Sequence, residues 1–530
     1  MSITGKLLIN GEWVAGQSGH YQAVDPATGK NLEPVLSKAS AAQVKAAVVA
    51  ADACASEFRL CSLAKRAAFL RGCAEEIMAL GDELVQRAMA ETGLPQARIE
   101  GERGRTCFQL TMFADVVEEG DFLDVRIDTA MPDRQPLPRP DLRYMNQAIG
   151  PVVVFGASNF PLAFSVAGGD TASAFAAGCP VLVKGHSSHP GTSELVAQAI
   201  DKAVKKTGMP TGVFSLLMGA GREVGSALVV APEVKAVGFT GSFSGGMTLV
   251  KLANDRPEPI PVFTEMGSLN PVVLLPKKLE AEAEQVAEGF VTSLNMGVGQ
   301  FCTNPGLILG IDSTALDRFV KATSEYLAKQ PAGVMLNEGI QEAYTQGVST
   351  ISNQPGVTKK AVGESQAGKP GFCCQPILMT VSASDFIANP KLTEEMFGPA
   401  ALLVKCLDVT ELENVIRSLR GQLTGTVQTA DGEMGDYEDL IDLLKVRVGR
   451  LLVNGFPTGV EVCHAMVHGG PFPAASDVRF TSVGSAAIYR FLRPICLQNY
   501  PQELLPDPLR DSNPLSLWRL VNGVRNRAAL

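Results

Sequence analysis

The sequence has no block of basic residues, few aromatic residues (6%), and a formal net charge of −9 from 46 basic against 55 acidic side chains. That balance speaks against nucleic acid as a partner, which calls for a basic stripe interleaved with stacking aromatics. Eighteen uncharged apolar residues never run together, and residues 1–14 lack the basic-then-apolar order of a secretory leader. No membrane partner and a soluble, cytoplasmic protein are therefore expected. Histidines and cysteines show no metal-ligand spacing, and the adjacent Cys373 and Cys374 form no metal motif, so no metal is expected. Eleven cysteines without regular spacing read as free thiols of a reducing compartment. Internal repeats and disordered bias are also absent.

What is present is an ordinary globular balance, 46% apolar and 19% charged, in a chain of 530 residues. That length exceeds a single core, so two or three domains are expected. Residues 7–14 read as a hairpin, because Asn10-Gly11 between apolar runs supplies the positive φ angles of a tight turn. Helical spacing follows over residues 40–60, 63–80 and 82–91, with Ser40 and Asp82 as caps and Gly93-Leu94-Pro95 as a stop. Residues 121–146 change to alternating apolar and charged residues broken by four prolines, an irregular arm. From Pro151 the pattern is regular. Strands over 151–156, 180–184, 213–218 and 236–239 alternate with helices over 162–177, 192–206, 223–230 and 245–253. Fully apolar strands joined by helices predict a parallel sheet covered on both faces, a doubly wound nucleotide-binding type of unit. A second α/β series begins near Pro261, with the domain boundary near Glu265, and runs to about Asp477, and the proline-punctuated residues 481–530 form a tail.

One connection carries the best candidate for covalent chemistry. Gly299-Gln300-Phe301-Cys302-Thr303-Asn304 lies between a helical run, 280–293, and an apolar strand-like run, 306–311. Such glycine-flanked loops held by regular elements are where reacting groups sit. Four other stretches stand out: Asn159-Phe160-Pro161-Leu162, Phe239-Thr240-Gly241-Ser242 with Gly246, Glu265-Met266-Gly267 with Asn270-Pro271, and Glu395-Met396-Phe397-Gly398-Pro399. Singly, each has a bland reading: a buried cysteine, a turn asparagine, a solvated strand-end glutamate, a helix-end charge, a core phenylalanine.

Together and in this order, the five stretches resemble the aldehyde dehydrogenase superfamily over nearly the whole chain. The resemblance implies two doubly wound α/β domains with a small oligomerisation arm. Residues 1–127 and 147–264 would bind the cofactor, 265–480 would be catalytic, and 128–146 with 481–530 would form the arm and tail of a homodimer or homotetramer. It implies Cys302 as nucleophile, Asn159 as an oxyanion donor, and Glu265 as the base that activates water against a thioester. Gly241 and Ser242 would open a helix toward the cofactor pyrophosphate, while Glu395 would hold the nicotinamide ribose beside Phe397. The chemistry agrees with these roles. Hydride leaves readily only from a tetrahedral carbon bearing an oxyanion, and a thiolate creates that carbon from an aldehyde.

One departure bears on the cofactor. Members that prefer NAD carry a glutamate after the second strand, whereas this chain reads Lys184-Gly185-His186-Ser187. Lys184 and Ser187 would bond a 2′-phosphate that a carboxylate would repel, with Arg222 on the next connection, so NADP is expected and NAD is possible. A narrower likeness, in residues 155–165, 185–191, 454–460 and 468–471 and in Arg493-Pro494, is to the 2-oxoglutarate semialdehyde (2,5-dioxovalerate) dehydrogenases. Oxidation of other aliphatic aldehydes and a coenzyme A-acylating reaction are the alternatives. The small dicarbonyl acid would need a cationic clamp, for which Arg103 or Arg105 are candidates. Phe164 and Ala167 would face the substrate tunnel or belong to helix core. His464, and equally His468, could assist proton transfer or be structural.

Overall fold

The computed structural model describes residues 2–365, 368 and 370–530. The regular pattern after residue 151 becomes a parallel sheet in the spatial order Val262–Glu265, Ala236–Thr240, Val152–Phe155, Val181–Lys184, Phe214–Leu217. Four of these strands are buried at every residue, as a sheet covered on both faces requires. The chain leaves Val152–Phe155 toward one edge and later returns to its other side. Connections therefore part at the carboxyl ends of Val152–Phe155 and Ala236–Thr240, which opens a crevice at the topological switch point. The hairpin Leu7–Ile9 and Glu12–Val14 extends the far edge, Leu8 pairing with Leu216, and its turn residues Asn10 and Gly11 take φ of 50° and 76°.

Helices Ala41–Leu60, Leu63–Met78 and Gly81–Thr92 precede this sheet. Ser40 and Gln43 form a capping box, and Gly93 ends the third helix at φ 67°. Asp82 is not the cap: the helix starts one residue earlier, and Asp82 sits in its first turn, where a carboxylate meets the positive end of the helix dipole. A fourth helix, Gln96–Glu119, follows.

The helix expected over 162–177 is shorter, Gly169–Ala177. Glu102, reaching over from helix Gln96–Glu119, anchors the turns ahead of the shorter helix. Its Oε1 accepts the Leu162 and Ala163 N–H groups, both at 2.9 Å, and Gly169 N–H closes on the Ala163 carbonyl at 3.2 Å, leaving turns in between. Similarly, a wide turn over Gly221–Gly225 precedes a helix of only Ser226–Val230.

A second seven-stranded sheet has the order Thr358–Val362, Ile377–Ser382, Ala400–Cys406, Leu307–Ile311, Val272–Leu274, Gln422–Gln428, Val448–Val453. It is parallel apart from its first strand. The arm and the tail meet in a third sheet, where Leu492–Gln498 pairs with Leu142–Ala148 through seven residues and Arg519–Val521 adds beside Arg126–Asp128. Among the described residues no helix is long and apolar enough to cross a membrane, and all eleven cysteines are free thiols.

Candidate active site

Helix Pro276–Asn295 ends in the turn Met296–Gly299, which hands the chain to the Cys302 loop ahead of strand Leu307–Ile311. Asn270, held at φ 50°, donates Nδ2 to the carbonyls of Cys302 and Asn304 at 2.9 Å each and fixes the loop on both sides of Thr303. Gly299 takes φ 65°, and a Cβ there would collide with the Gly398 carbonyl carbon, so only glycine lets the two backbones touch. The Cys302 loop and the Glu395 segment thus rest directly on one another.

The half-buried thiol of Cys302 has two polar neighbours. Its Sγ lies 3.4 Å from His468 Nε2, and that nitrogen lies 2.9 Å from Glu265 Oε1. Ser482 Oγ donates to the other carboxylate oxygen at 2.7 Å. Glu265 closes strand Val262–Glu265, bridges to Ala475, and is followed by a Met266 N–H bond to the Ala474 carbonyl at 2.8 Å, which draws the segment after His468 alongside. Burial, and after it the Glu265 charge, pushes the Cys302 thiol well above its ordinary range. Burial also works to raise the Glu265 carboxyl, but His468, Ser482 and Cys302 together outweigh it and hold the group below the usual carboxylate value. At rest a protonated thiol, a carboxylate and the His468 ring share the site.

Asn159 follows strand Val152–Phe155 and donates Nδ2 to the Gln300 carbonyl at 2.9 Å, which pins it against the nucleophile loop. An amide carries two N–H donors, so one stays available for an oxyanion formed at Cys302. Asn159, Glu265 and Cys302 all line one cleft of ≈ 550 Å³, within the size of a small-ligand site.

The same cleft runs to Lys184, Gly241, Ser242, Glu395 and Phe397. Lys184 is 8% exposed and has no hydrogen-bond or ion-pair partner among the described residues; burial lowers its ammonium to about 8. A buried, unpaired cation suits an anionic ligand. Ser242 Oγ accepts the Gly245 N–H at 3.2 Å and starts helix Phe243–Asn254, whose first turn borders the cleft with N–H groups suited to a pyrophosphate. Glu395 is open to the cleft interior yet ringed by protein, and desolvation raises its carboxyl to about 7. A Cβ on Gly267 would collide with Glu395 Oε2, so the carboxylate fits there only over glycine. The donor set fits a nicotinamide dinucleotide: a cation and helix end for phosphates, and a carboxylate for ribose hydroxyls.

Other expected residues lie elsewhere. Ser187 and Arg222 are exposed and do not line the cleft, although Gly221, next to Arg222, does. Phe164 is half-buried, with its ring 5.1 Å from Phe160 and 6.0 Å from the His468 ring. Ala167 is a correction: at 1% exposure it belongs to the hydrophobic core, because residues 162–168 are turns and not the helix that would have aimed it at a tunnel. His464 is a second correction. It is exposed and bonded to Ser485 Oγ at 3.1 Å, whereas His468 occupies the centre, fixed by its N–H to Thr481 Oγ1 at 2.8 Å. Ser482 and Asn270 carry no local signal of their roles, since every contact that defines them is tertiary. Asn337 is a further such residue: it caps helix Glu338–Ser352 and donates to Ser188 Oγ at 2.8 Å, closing the cleft from the second sheet's side.

Comparisons with known proteins agree with this geometry. The profile of the aldehyde dehydrogenase family matches residues 13–471. The chain is 55% identical to alpha-ketoglutaric semialdehyde dehydrogenase 2 of Azospirillum brasilense, over 99% of each chain. It is 47% identical to alpha-ketoglutaric semialdehyde dehydrogenase of Acinetobacter baylyi, over 98% of each. Among solved structures, a mutant of aldehyde dehydrogenase C of Pseudomonas syringae, in complex with NAD+ and octanal, superposes with a TM-score of 0.79 at 21% identity over 94% of this chain and 97% of that one. Betaine aldehyde dehydrogenase of Staphylococcus aureus with NAD+ superposes with a TM-score of 0.80 at 19% identity over 94% and 98%. A thiol, an acid and an amide converging at the mouth of a dinucleotide-shaped cleft, in a chain matched nearly from end to end, make this an oxidoreductase of the aldehyde dehydrogenase family, whose members pass hydride from an aldehyde to NAD or NADP.

Proposed function

We propose that the protein oxidises 2-oxoglutarate semialdehyde (2,5-dioxopentanoate) to 2-oxoglutarate, with NADP preferred over NAD. The observation that carries the substrate is identity of 55% sustained over 99% of both chains with a dehydrogenase of that name. For the cofactor, the supporting observation is the unpaired Lys184 at the cleft wall with no acid at residues 185–187, where a carboxylate would repel a 2′-phosphate.

In this reading the Cys302 proton moves to His468 Nε2 as Sγ attacks the aldehyde carbon. The resulting imidazolium is held by the Glu265 carboxylate 2.9 Å away, so a thiolate forms although the isolated thiol titrates high. Asn159 Nδ2 and the Cys302 N–H stabilise the oxyanion of the thiohemiacetal. NADP, when bound, supplies the hydride acceptor; Lys184, the helix start at Ser242, and Glu395 would hold it. Glu265 then takes a proton from water, which attacks the thioester and returns Cys302 as the thiol. The net change is aldehyde, NADP+ and water to carboxylate, NADPH and two protons. Residues 1–127 and 147–264 serve as the cofactor unit and 265–480 as the catalytic unit. The 128–146 arm and the 481–530 tail serve assembly into a dimer or tetramer, in the cytoplasm.

The test is an initial-rate comparison of 2,5-dioxopentanoate with neutral aliphatic aldehydes, using both cofactors, with and without coenzyme A. Preference for the dicarbonyl acid with NADP, and no dependence on coenzyme A, is expected. A higher kcat/KM with NAD would overturn the cofactor assignment, and Cys302→Ala retaining turnover would overturn the nucleophile.

A further inference from the structure

The structure assigns the far carboxylate of the substrate to Arg105 and Arg450, an inference that rests on the dicarbonyl acid proposed above. Arg105 comes from helix Gln96–Glu119 and Arg450 from strand Val448–Val453, and they converge on one loop. Arg105 Nη1 donates to the Val460 carbonyl. Arg450 donates to the neighbouring Gly459 carbonyl at 3.1 Å and to the Pro457 carbonyl at 2.8 Å. The two side chains thus hold consecutive carbonyls of one loop.

Among the described residues neither arginine has an acid within ion-pair distance, and three of their N–H-bearing nitrogens are buried without a partner: Nε and Nη2 of Arg105 and Nε of Arg450. Unmade bonds on a buried cation are costly, and an α-keto carboxylate, planar and multiply accepting, matches the geometry that would satisfy them. Their position is the second observation. The Arg105 guanidinium carbon lies 5.6 Å from the Phe164 ring centre, Phe164 lies 6.0 Å from the His468 ring, and His468 Nε2 lies 3.4 Å from the thiol. Both arginines lie within electrostatic reach of Cys302, whose thiolate would partly offset the lowering that burial imposes on each. A five-carbon acid spans about 5 Å from C1 to C5, so with its aldehyde at Sγ its carboxylate would extend past the Phe164 ring toward the guanidiniums.

Other cations near the site are already engaged. Arg98 pairs with Glu102 at 3.2 Å and stacks on Phe160 and Phe301 at 4.3 and 4.8 Å. Arg103 turns away to the Gly81 carbonyl at 2.8 Å. Arg66, Arg256 and Arg519 are also buried, and Arg66 and Arg519 each keep an unpaired Nε, but their main-chain partners lie outside the 457–460 loop and none is within electrostatic reach of Cys302.

The experiment compares kcat/KM for 2,5-dioxopentanoate and for pentanal in the full-length enzyme and its Arg105→Met and Arg450→Met variants. Each variant is expected to lower the acid-to-pentanal ratio by about 30-fold or more, chiefly through KM for the acid, as loss of charged hydrogen bonds predicts. Arg105→Lys and Arg450→Lys should fall between, since ammonium keeps the charge and loses the fork. A ratio unchanged in a folded Met variant overturns the clamp. Wild-type enzyme that prefers pentanal overturns the substrate reading instead. Where a Met variant fails to fold, the Lys variants decide, and an unchanged ratio in both overturns the clamp.

Discussion

Glu265 Oε1 and His468 Nε2 lie 2.9 Å apart inside the protein, and the nitrogen that faces the carboxylate is the same one that lies 3.4 Å from the Cys302 thiol. One nitrogen therefore serves two neighbours. It accepts the thiol proton or donates to the carboxylate, and taking the proton from sulfur completes the second bond.

His468→Gln is expected to lower kcat by about 100-fold or more, the range of a lost proton acceptor. Its rate should climb with pH where the wild-type rate is flat, because burial and Glu265 hold the unaided thiol above its ordinary range. Glu265→Gln removes the charge that raises the thiol, so Cys302 should alkylate faster near neutral pH. The same variant should release one equivalent of NADPH and then stall. Sustained turnover in Glu265→Gln would remove it as the base.

Lys184 is lowered to about 8 by burial alone. A cation is needed opposite a 2′-phosphate, so the KM for NADP should rise as pH climbs past about 8 while the KM for NAD changes less. In Lys184→Met the NADP-to-NAD ratio of kcat/KM should drop about tenfold, the worth of one charged hydrogen bond. Parallel pH profiles for the two cofactors would contradict this assignment.

Glu395 is raised to about 7. If Glu395 holds the ribose as proposed, its ionised form would accept more hydroxyl bonds than its protonated form, so cofactor KM should increase as pH falls below about 7. Glu395→Gln should show a higher KM that no longer varies there. Isothermal titration of NADP between about pH 6 and 8, read as about one proton exchanged at the low end, checks it.

Glu265, Cys302 and His468 place one ligand atom each within 4.8 Å of one another. Zinc bonds of about 2.0 to 2.3 Å fit inside that span, with the thiol proton released on binding. Zinc at micromolar concentration is expected to inhibit reversibly, with activity restored by EDTA. Cobalt should give a thiolate charge-transfer band that Cys302→Ser abolishes; a band that survives in Cys302→Ser would put the metal elsewhere.

Local chemistry made much of the fold legible. Ser40 reads as a helix cap, Asn10-Gly11 as a hairpin turn, and the apolar runs after Pro151 as a parallel sheet. Where long-range contacts decided, the sequence was silent or misleading. Apolar spacing after Leu162 reads as helix, but residues 162–168 are turns whose Leu162 and Ala163 N–H groups bond the distant Glu102 carboxylate, and Ala167 lies in the core. His464 and His468 look alike in sequence; only the Thr481 and Glu265 contacts separate a solvent-facing imidazole from a central one. Cys302, Glu265 and Asn159 are readable as motifs and Arg105 as one of two candidate clamps, whereas Ser482, Arg450 and the loop-fixing bonds of Asn270 become visible only where distant segments meet.

Gly299 and Gly398 bring two main chains into direct contact with no side chain between them. Cys302 and the Glu395 carboxylate therefore sit on two arms of one bracket, and backbone stacking would set the gap between the sulfur and a ribose held by Glu395. A single methyl group at residue 299 would act as a shim in that bracket. It would lengthen the path hydride must cross while leaving both arms able to grip their ligands, so Gly299→Ala should slow the chemical step and spare binding.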